Sequence, residues 1–275
     1  MNSSETLDKL QAAVIQEQAS KNSSKEDKYH FDELKLFFGE DYFVHGIKIC
    51  QPTIGDIIDI GESKIYSALS PFTNNSTSIR LSLWNMGIKN WCKVKDIEVF
   101  GLLSNVPTTD FSQLKIIFPD TDITEYKLIS YAGDDGEKTF GLFNKRTRDL
   151  ITEDEYMEIA EYIRTFMNMH PKVEKAKGKT VRAWMIQEDQ MKLAAEDPNK
   201  QYKSSLLPVI SAMINHPGFK YRLDELRQVK IYQFYDAVKR VQIYEQTRAL
   251  LSGSYSGFCD TSKIDKELFN FMRSE

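Results

Sequence analysis

Thr152-Glu-Asp-Glu155-Tyr156-Met-Glu-Ile159-Ala160-Glu-Tyr-Ile163-Arg-Thr-Phe166-Met167 is the stretch on which the fold turns. Thr152 and Glu155 stand three apart, the spacing at which each side chain satisfies an otherwise unpaired amide at a helix start. Tyr156, Ile159, Ala160, Ile163, Phe166 and Met167 then recur at helical intervals and make one apolar stripe. Pro171 is expected to stop this helix. Helical patterning continues to the C-terminus. Val173–Ala195 reads as a long, mostly charged helix broken at Asp197-Pro198-Asn199, and Ser204–Asn215 as an apolar helix stopped by Pro217-Gly218. Lys230–Leu251 reads as a long helix ended by Ser252-Gly253, and Lys263–Met272 as a short tail helix.

Upstream of Thr152 the period changes. Leu114–Phe118, Ile123–Tyr131 and Lys138–Phe143 read as strands, and Gly133-Asp134-Asp135-Gly136 as a hairpin turn, because Gly and Asp tolerate positive φ. Further back, Leu34–Gly39 and Tyr42–Ile49 read as two strands joined by Gly39-Glu40-Asp41. Pro52 then opens a helix carrying Ile54, Ile57, Ile58, Gly61, Ile65, Ala68 and Leu69 on one face, closed by Pro71. Gly55 and Gly61 each cost roughly 1 kcal/mol against Ala inside a helix, so a close packing approach is expected to compensate. Ser78–Met86 and Lys95–Ser104 are predicted short helices on either side of Trp91. Residues 1–28, rich in Ser, Asn, Lys, Glu and Gln, read as a mobile arm, with a weak helical pattern at Leu7, Leu10 and Val14. The predicted fold class is α+β, mainly helical. The predicted organisation is an arm at 1–28, a two-strand plus helices unit at 29–109, an antiparallel hairpin region at 110–151 and a C-terminal helical bundle at 152–275.

The 275 residues suffice for a real core, and 41% hydrophobic with 12% aromatic residues is too apolar for disorder. A formal net charge of −4 lacks the basic footprint of a general nucleic-acid binder. No stretch approaches the roughly 20 apolar residues that span a bilayer, and the polar N-terminus lacks a secretory signal. Cys50, Cys92 and Cys259 are odd in number and far apart, which argues for a reducing compartment and against a disulfide framework or zinc site.

Searches for chemistry find little. Gly178-Lys179-Thr180 matches the end of a phosphate loop, but Val173 stands where that loop needs Gly. His170 and His216 precede prolines at helix ends, where a cation complements the dipole. Neither they nor His30 and His45 fall in a metal-binding spacing. Asp56, Asp59 and Glu62 read as a solvated helix face, and Glu153, Asp154 and Glu155 as dipole complements at a helix start. No catalytic residue, cofactor site or metal site is therefore expected.

Two surfaces remain as candidates. Ile231, Phe234, Tyr235, Val238 and Val241 form a stripe on the long C-terminal helix, with Tyr244 falling beside it. A helix apolar over more than one stripe packs on two sides, or packs on one and binds with the other. Core alone is the favoured reading, and the excess of Tyr and Phe fits a binding face. The second candidate, Lys172–Trp184, carries Lys172, Lys175, Lys177, Lys179 and Arg182 around Glu174 and ends in Trp184. Phosphate contact and base stacking use such groups. Thin aromatic interleaving and the negative total charge nonetheless make a solvated helix face the expected reading.

Leu36–Tyr42 and Ile47–Ile58, with Gly61, Glu62 and Tyr66, form one familiar segment. Leu206–Ala212, Ile231–Ala237 with Arg240, and Tyr255-Ser256-Gly257 with Asp260, Lys263 and Ile264 form another. Together these resemble tail-module proteins of bacteriophages that infect Gram-positive hosts. The resemblance implies a tail assembly chaperone acting in the host cytoplasm, with phage tail proteins (the tape-measure or tube protein) as partners and self-association as a further expectation. The alternative is a structural protein retained in the virion, and a weaker one is nucleic-acid contact through the basic run.

Overall fold

A computed structural model of the chain describes residues 29–274 other than 108, 134, 135, 137, 198, 200 and 258–263. The expected arm at 1–28, Cys259, Asp260 and Lys263 lie outside the described residues. Two units are distinguished, Met1–Asp32 and Glu33–Glu275, and all that follows concerns the second.

The architecture is α+β and mainly helical, with two small antiparallel sheets. Glu33–Phe38 is helix α1, where a strand was expected. Its end explains the difference. Gly39 N–H donates to Leu36 O and Glu40 N–H to Lys35 O, the paired closure that follows a helix and not a strand. The first hairpin therefore lies wholly within the second expected strand: β1 (Tyr42–Val44) pairs with β2 (Ile47–Ile49). Its turn is His45-Gly46, both at positive φ (52° and 75°), as a two-residue hairpin loop requires.

The expected single helix from Pro52 is two helices, α2 (Ile54–Ile60) and α3 (Glu62–Thr73). Gly61, at φ 98°, occupies a conformation that L side chains resist, and the axis breaks there. Thr53, not Pro52, starts α2, in a reciprocal cap with Asp56. Pro71 sits within the last turn of α3 and does not end it. Helices α4 (Arg80–Asn85) and α5 (Asp96–Leu103) flank a 3-10 turn at Trp91–Lys93, close to expectation.

Leu114–Phe118 is not a strand. Asp110 accepts from Ser112 N–H and starts a 3-10 helix over Phe111–Ile116, which uses the i, i+3, i+4 spacing of Leu114, Ile117 and Phe118. A second 3-10 turn, Ile123–Glu125, leads into β3 (Tyr126–Ala132). This strand pairs along its length with β4 (Lys138–Asn144), and β4 with β5 (Asp149–Thr152), a short strand that the sequence reading passed over. Between β3 and β4, Gly136 N–H donates to Gly133 O across the expected turn, of which Asp134 and Asp135 lie outside the described residues.

Strand β5 feeds directly into α6 (Glu153–Met167), whose Thr152–Glu155 capping box forms as the sequence implies. The stripe of α6 is wholly buried. Tyr156 joins Phe72, Phe100 and Phe118 in an aromatic core with ring centroids 5.3 to 6.2 Å apart. The helix ends before Pro171, on the left-handed Asn168. The segment 170–177 has no regular structure, so the expected helix from Val173 begins only at Lys179, as α7 (Lys179–Ala195).

Helices α8 (Leu206–Ile214) and α9 (Leu223–Leu226) precede α10 (Ile231–Tyr255). Helix α10 runs straight through Ser252-Gly253, since one internal Gly costs only about 1 kcal/mol. The expected tail helix is a single 3-10 turn, Lys266–Phe269. A seam ties this C-terminal segment to α2: Ile54 N–H donates to Val229 O, Gly55 N–H to Arg227 O and Ile231 N–H to Pro52 O, at 2.9 to 3.0 Å.

Candidate interaction surfaces

The seam decides where the α10 stripe points. Ile231 and Phe234, chosen from the sequence as partner contacts, are wholly buried in this chain's own core, Phe234 against Phe219. This corrects their assignment: the seam ties the start of α10 to the start of α2, the helix packs against α6 and α1, and the first residues of its stripe are consumed in that core. Tyr235, Val238 and Val241 are half-buried, and Tyr244 is half-exposed.

Exposed apolar surface gathers instead at the far end of α10. Tyr244, Leu251 and Tyr255 are spaced by seven and four residues, so they share a helix face; Leu251 is half-buried and Tyr255 is 87% exposed. The chain's last segment lies along this end. Phe271 meets Tyr244 edge-on at 6.4 Å, leaving Phe271, Leu268 and Met272 on the surface. A buried arginine sets that geometry. Arg273 donates to Thr247 Oγ1 at 2.9 Å, Leu268 O at 3.0 Å and Gln246 Oε1 at 3.0 Å, while its own carbonyl accepts from Arg240 at 2.6 Å. Sequence reading missed Arg273, Thr247 and Phe271, because no local pattern marks a tail that folds back.

Helix α8 is the second apolar surface. Leu-Leu-Pro-Val-Ile-Ser-Ala-Met-Ile buries only Leu206 and Met213 and leaves Leu207, Pro208, Ser211 and Ala212 exposed on one side. Glu62 fixes its start, since Oε1 accepts from Ser205 N–H, Ser205 Oγ and Leu206 N–H at 2.5 to 3.0 Å. Burial raises the Glu62 pKa, but these bonds outweigh it and hold the carboxyl below its usual range. Its neighbours are engaged as well: Asp56 caps α2, and Asp59 pairs with Arg227 at 2.7 Å. The face is solvated at Asp59, which is 68% exposed, and it also supplies two caps and a link to the C-terminal segment.

Two histidines, His45 and His216, serve as struts. His45 sits between Asp149 Oδ1 and Glu155 Oε1, each 2.8 Å from a ring nitrogen, so it joins the first hairpin to the start of α6. The bond to Asp149, reinforced by Glu155, raises its pKa despite partial burial. His216 Nδ1 accepts from Gly218 N–H at 3.0 Å and braces a turn, and His170 lies 3.9 Å from Glu161. Cys50 donates to Asp41 at 3.1 Å, and burial beside that carboxylate pushes its pKa up to about 11. Among the described residues no group of three or more His, Cys, Asp or Glu side chains is placed to hold a metal ion.

The basic run is divided by the fold. Lys175 and Lys177 lie on the irregular segment, which is pinned where Asn75 Nδ2 donates to Lys172 O and Glu174 N–H to Thr77 Oγ1. Lys179 and Arg182 fall on the first turn of α7, facing Lys89, Asn90 and Trp84. Trp184, two residues beyond Arg182, is turned away and 63% exposed. The structure therefore joins Lys179 and Arg182 to residues from the α4 end and separates Trp184 from them.

Fold and surfaces together define a mainly helical α+β protein whose C-terminal segment carries an exposed apolar and aromatic face. Residues 198–274, which hold α8, α10 and the folded-back tail, match the family model described as YomV second domain, a phage-derived family of Bacillus prophage type. No curated protein and no solved structure matches the chain. No described helix is long and apolar enough to cross a membrane.

Proposed function

We propose that the protein is a non-enzymatic factor of phage tail assembly, acting in the host cytoplasm as a chaperone for a tail protein, the tape-measure or tube protein. The observation behind this reading is the apolar face formed by Tyr244, Tyr255, Leu268, Phe271 and Met272, inside the segment similar to a phage family. A tape-measure protein is long, helical and apolar, and aggregates unless its stripes are covered before tube protein polymerises around it. An exposed aromatic face on a helix end, rigidified by the Arg273 clamp, suits reversible cover of such stripes, because aromatic anchors dominate interface energies.

The test is co-expression with a phage tape-measure protein. The wild type should raise the soluble fraction of that protein several-fold, and Tyr255→Ser/Phe271→Ser should abolish the gain while the variant itself stays folded. Mass spectrometry of purified particles completes the test, since a chaperone is absent from them. Stoichiometric presence in the particle, or no gain in solubility, defeats the proposal, and the first result identifies a structural tail or capsid component instead.

A further inference from the structure

The cleft between the end of α4 and the start of α7 has a composition unlike the rest of this acidic chain. It measures about 480 Å³ and is lined by Trp84, Lys89, Asn90, Lys179 and Arg182: three cations, an amide and an indole, with no carboxylate. Lys89 Nζ stands 4.0 Å from the Trp84 ring centroid and donates to Trp84 O at 2.9 Å, while Arg182 is bonded to Asn90. No carboxylate among the described residues pairs with Lys89, Lys179 or Arg182.

The neighbouring cleft shows the contrast. There Arg80 is bonded to both Glu174, which lies inside the lysine run, and Asp189, so one cation is shared between two carboxylates. Lys172, Lys175 and Lys177 lead into the cationic cleft along an irregular segment that is tied down at Lys172 O and Glu174 N–H and packed by Ala176 onto the Leu83–Trp91–Ile186 cluster. From Lys172 to Lys179 the chain reaches at most about 25 Å. Exposed cations spread along a segment of that length match a run of phosphates better than one small anion.

We propose that the cleft and the lysine run entering it form a track for the sugar–phosphate backbone of a single-stranded nucleic acid. A single strand is favoured over a duplex because the site is a concave cleft of about 480 Å³, which a flexible strand can enter and a rigid duplex cannot. The contacts are to phosphate, so recognition is independent of sequence. This inference rests on residues outside the apolar face at the end of α10 and stands apart from the chaperone reading.

Fluorescence anisotropy of the full-length protein with a labelled oligothymidylate tests it. With about five phosphates engaged, affinity should fall roughly a hundredfold between 50 and 200 mM salt. Lys89→Glu/Lys179→Glu/Arg182→Glu should weaken binding at 50 mM by more than about thirtyfold and reduce the logarithmic salt slope by about 2. The control Lys64→Glu/Lys127→Glu/Lys145→Glu changes the total charge equally at exposed sites elsewhere and should bind within about threefold of wild type. Lys89→Gln/Lys179→Gln, which keeps the Arg182–Asn90 bond, should lose about tenfold and so separates lost contacts from misfolding. No binding at 50 mM salt, equal losses in the cleft and control variants, or equal affinity for duplex DNA or polyglutamate would each overturn the proposal.

Discussion

Replacing Arg164 with Met should remove a large part of the stability of this fold. The side chain is 3% exposed and makes four hydrogen bonds at one junction. Nε donates to Phe72 O at 2.8 Å and Nη2 to Asn74 O at 3.1 Å, two carbonyls at the end of α3 that have no helical partner. Nη2 also reaches Asp96 Oδ2 and Nη1 reaches Glu161 Oε1, both at 2.7 Å. Asp96 is the first residue of α5, so one guanidinium satisfies a helix C-terminus and the acid at a helix N-terminus. Methionine fills the volume and orphans all of these groups. Removing one partner of a buried pair costs about 3–5 kcal/mol, a large share of a total of roughly 5–15 kcal/mol. Urea unfolding followed by circular dichroism should show the midpoint lowered by more than about 1 M at an m-value near 3 kcal/mol/M. Lysine should recover less than half of the loss, since a point charge does not span carbonyls and carboxylates the way a planar fork does. A loss below about 1 kcal/mol, or lysine equal to arginine, refutes the account of this junction.

Two further changes probe local joints. The raised His45 pKa means that its contribution is fully present below its unfolded value near 6.5 and fades as pH rises through the folded value. Tyr126, His45 and Thr152 hold Asp149 and Glu155 below their usual range against the opposing effect of burial, so their share is lost only in acid. His45→Asn, which tolerates the left-handed turn, should therefore flatten stability measured from pH 6 to 8 by no more than about 1 kcal/mol, and an unchanged slope refutes the strut. Gly55→Ala places a Cβ 2.6 Å from Arg227 O and should lower the melting temperature by about 4–8 °C despite the better helix propensity, in line with a loss near 2 kcal/mol. An increase would show that the α2 seam yields.

The sequence was legible where one residue's role is decided by its near neighbours. The Thr152–Glu155 box, the α6 stripe and the Gly133–Gly136 turn are local contracts, and each forms. Gly55 also behaves as expected, because a glycine retained in a helix implies a close approach, here the Arg227 carbonyl. Short apolar runs misled where a residue that caps a helix end outweighed strand propensity. Gly39 turned Leu34–Phe38 into a helix, and Asp110 turned the following run into a 3-10 turn. The surfaces were the least legible part, for a physical reason. Whether an apolar stripe is core or interface depends on which other segment reaches it first, and three backbone bonds from residues 52–55 to residues 227–231 settle that for Ile231 and Phe234. Beyond the seam, the opposite end of α10 meets the folded-back tail, which leaves Tyr244 and Tyr255 exposed about three helical turns along the same helix. A stripe read from periodicity alone fixes the helix face that is apolar, and the tertiary contact fixes how far along that face the chain's own core extends; what lies beyond that point is the surface left for a partner.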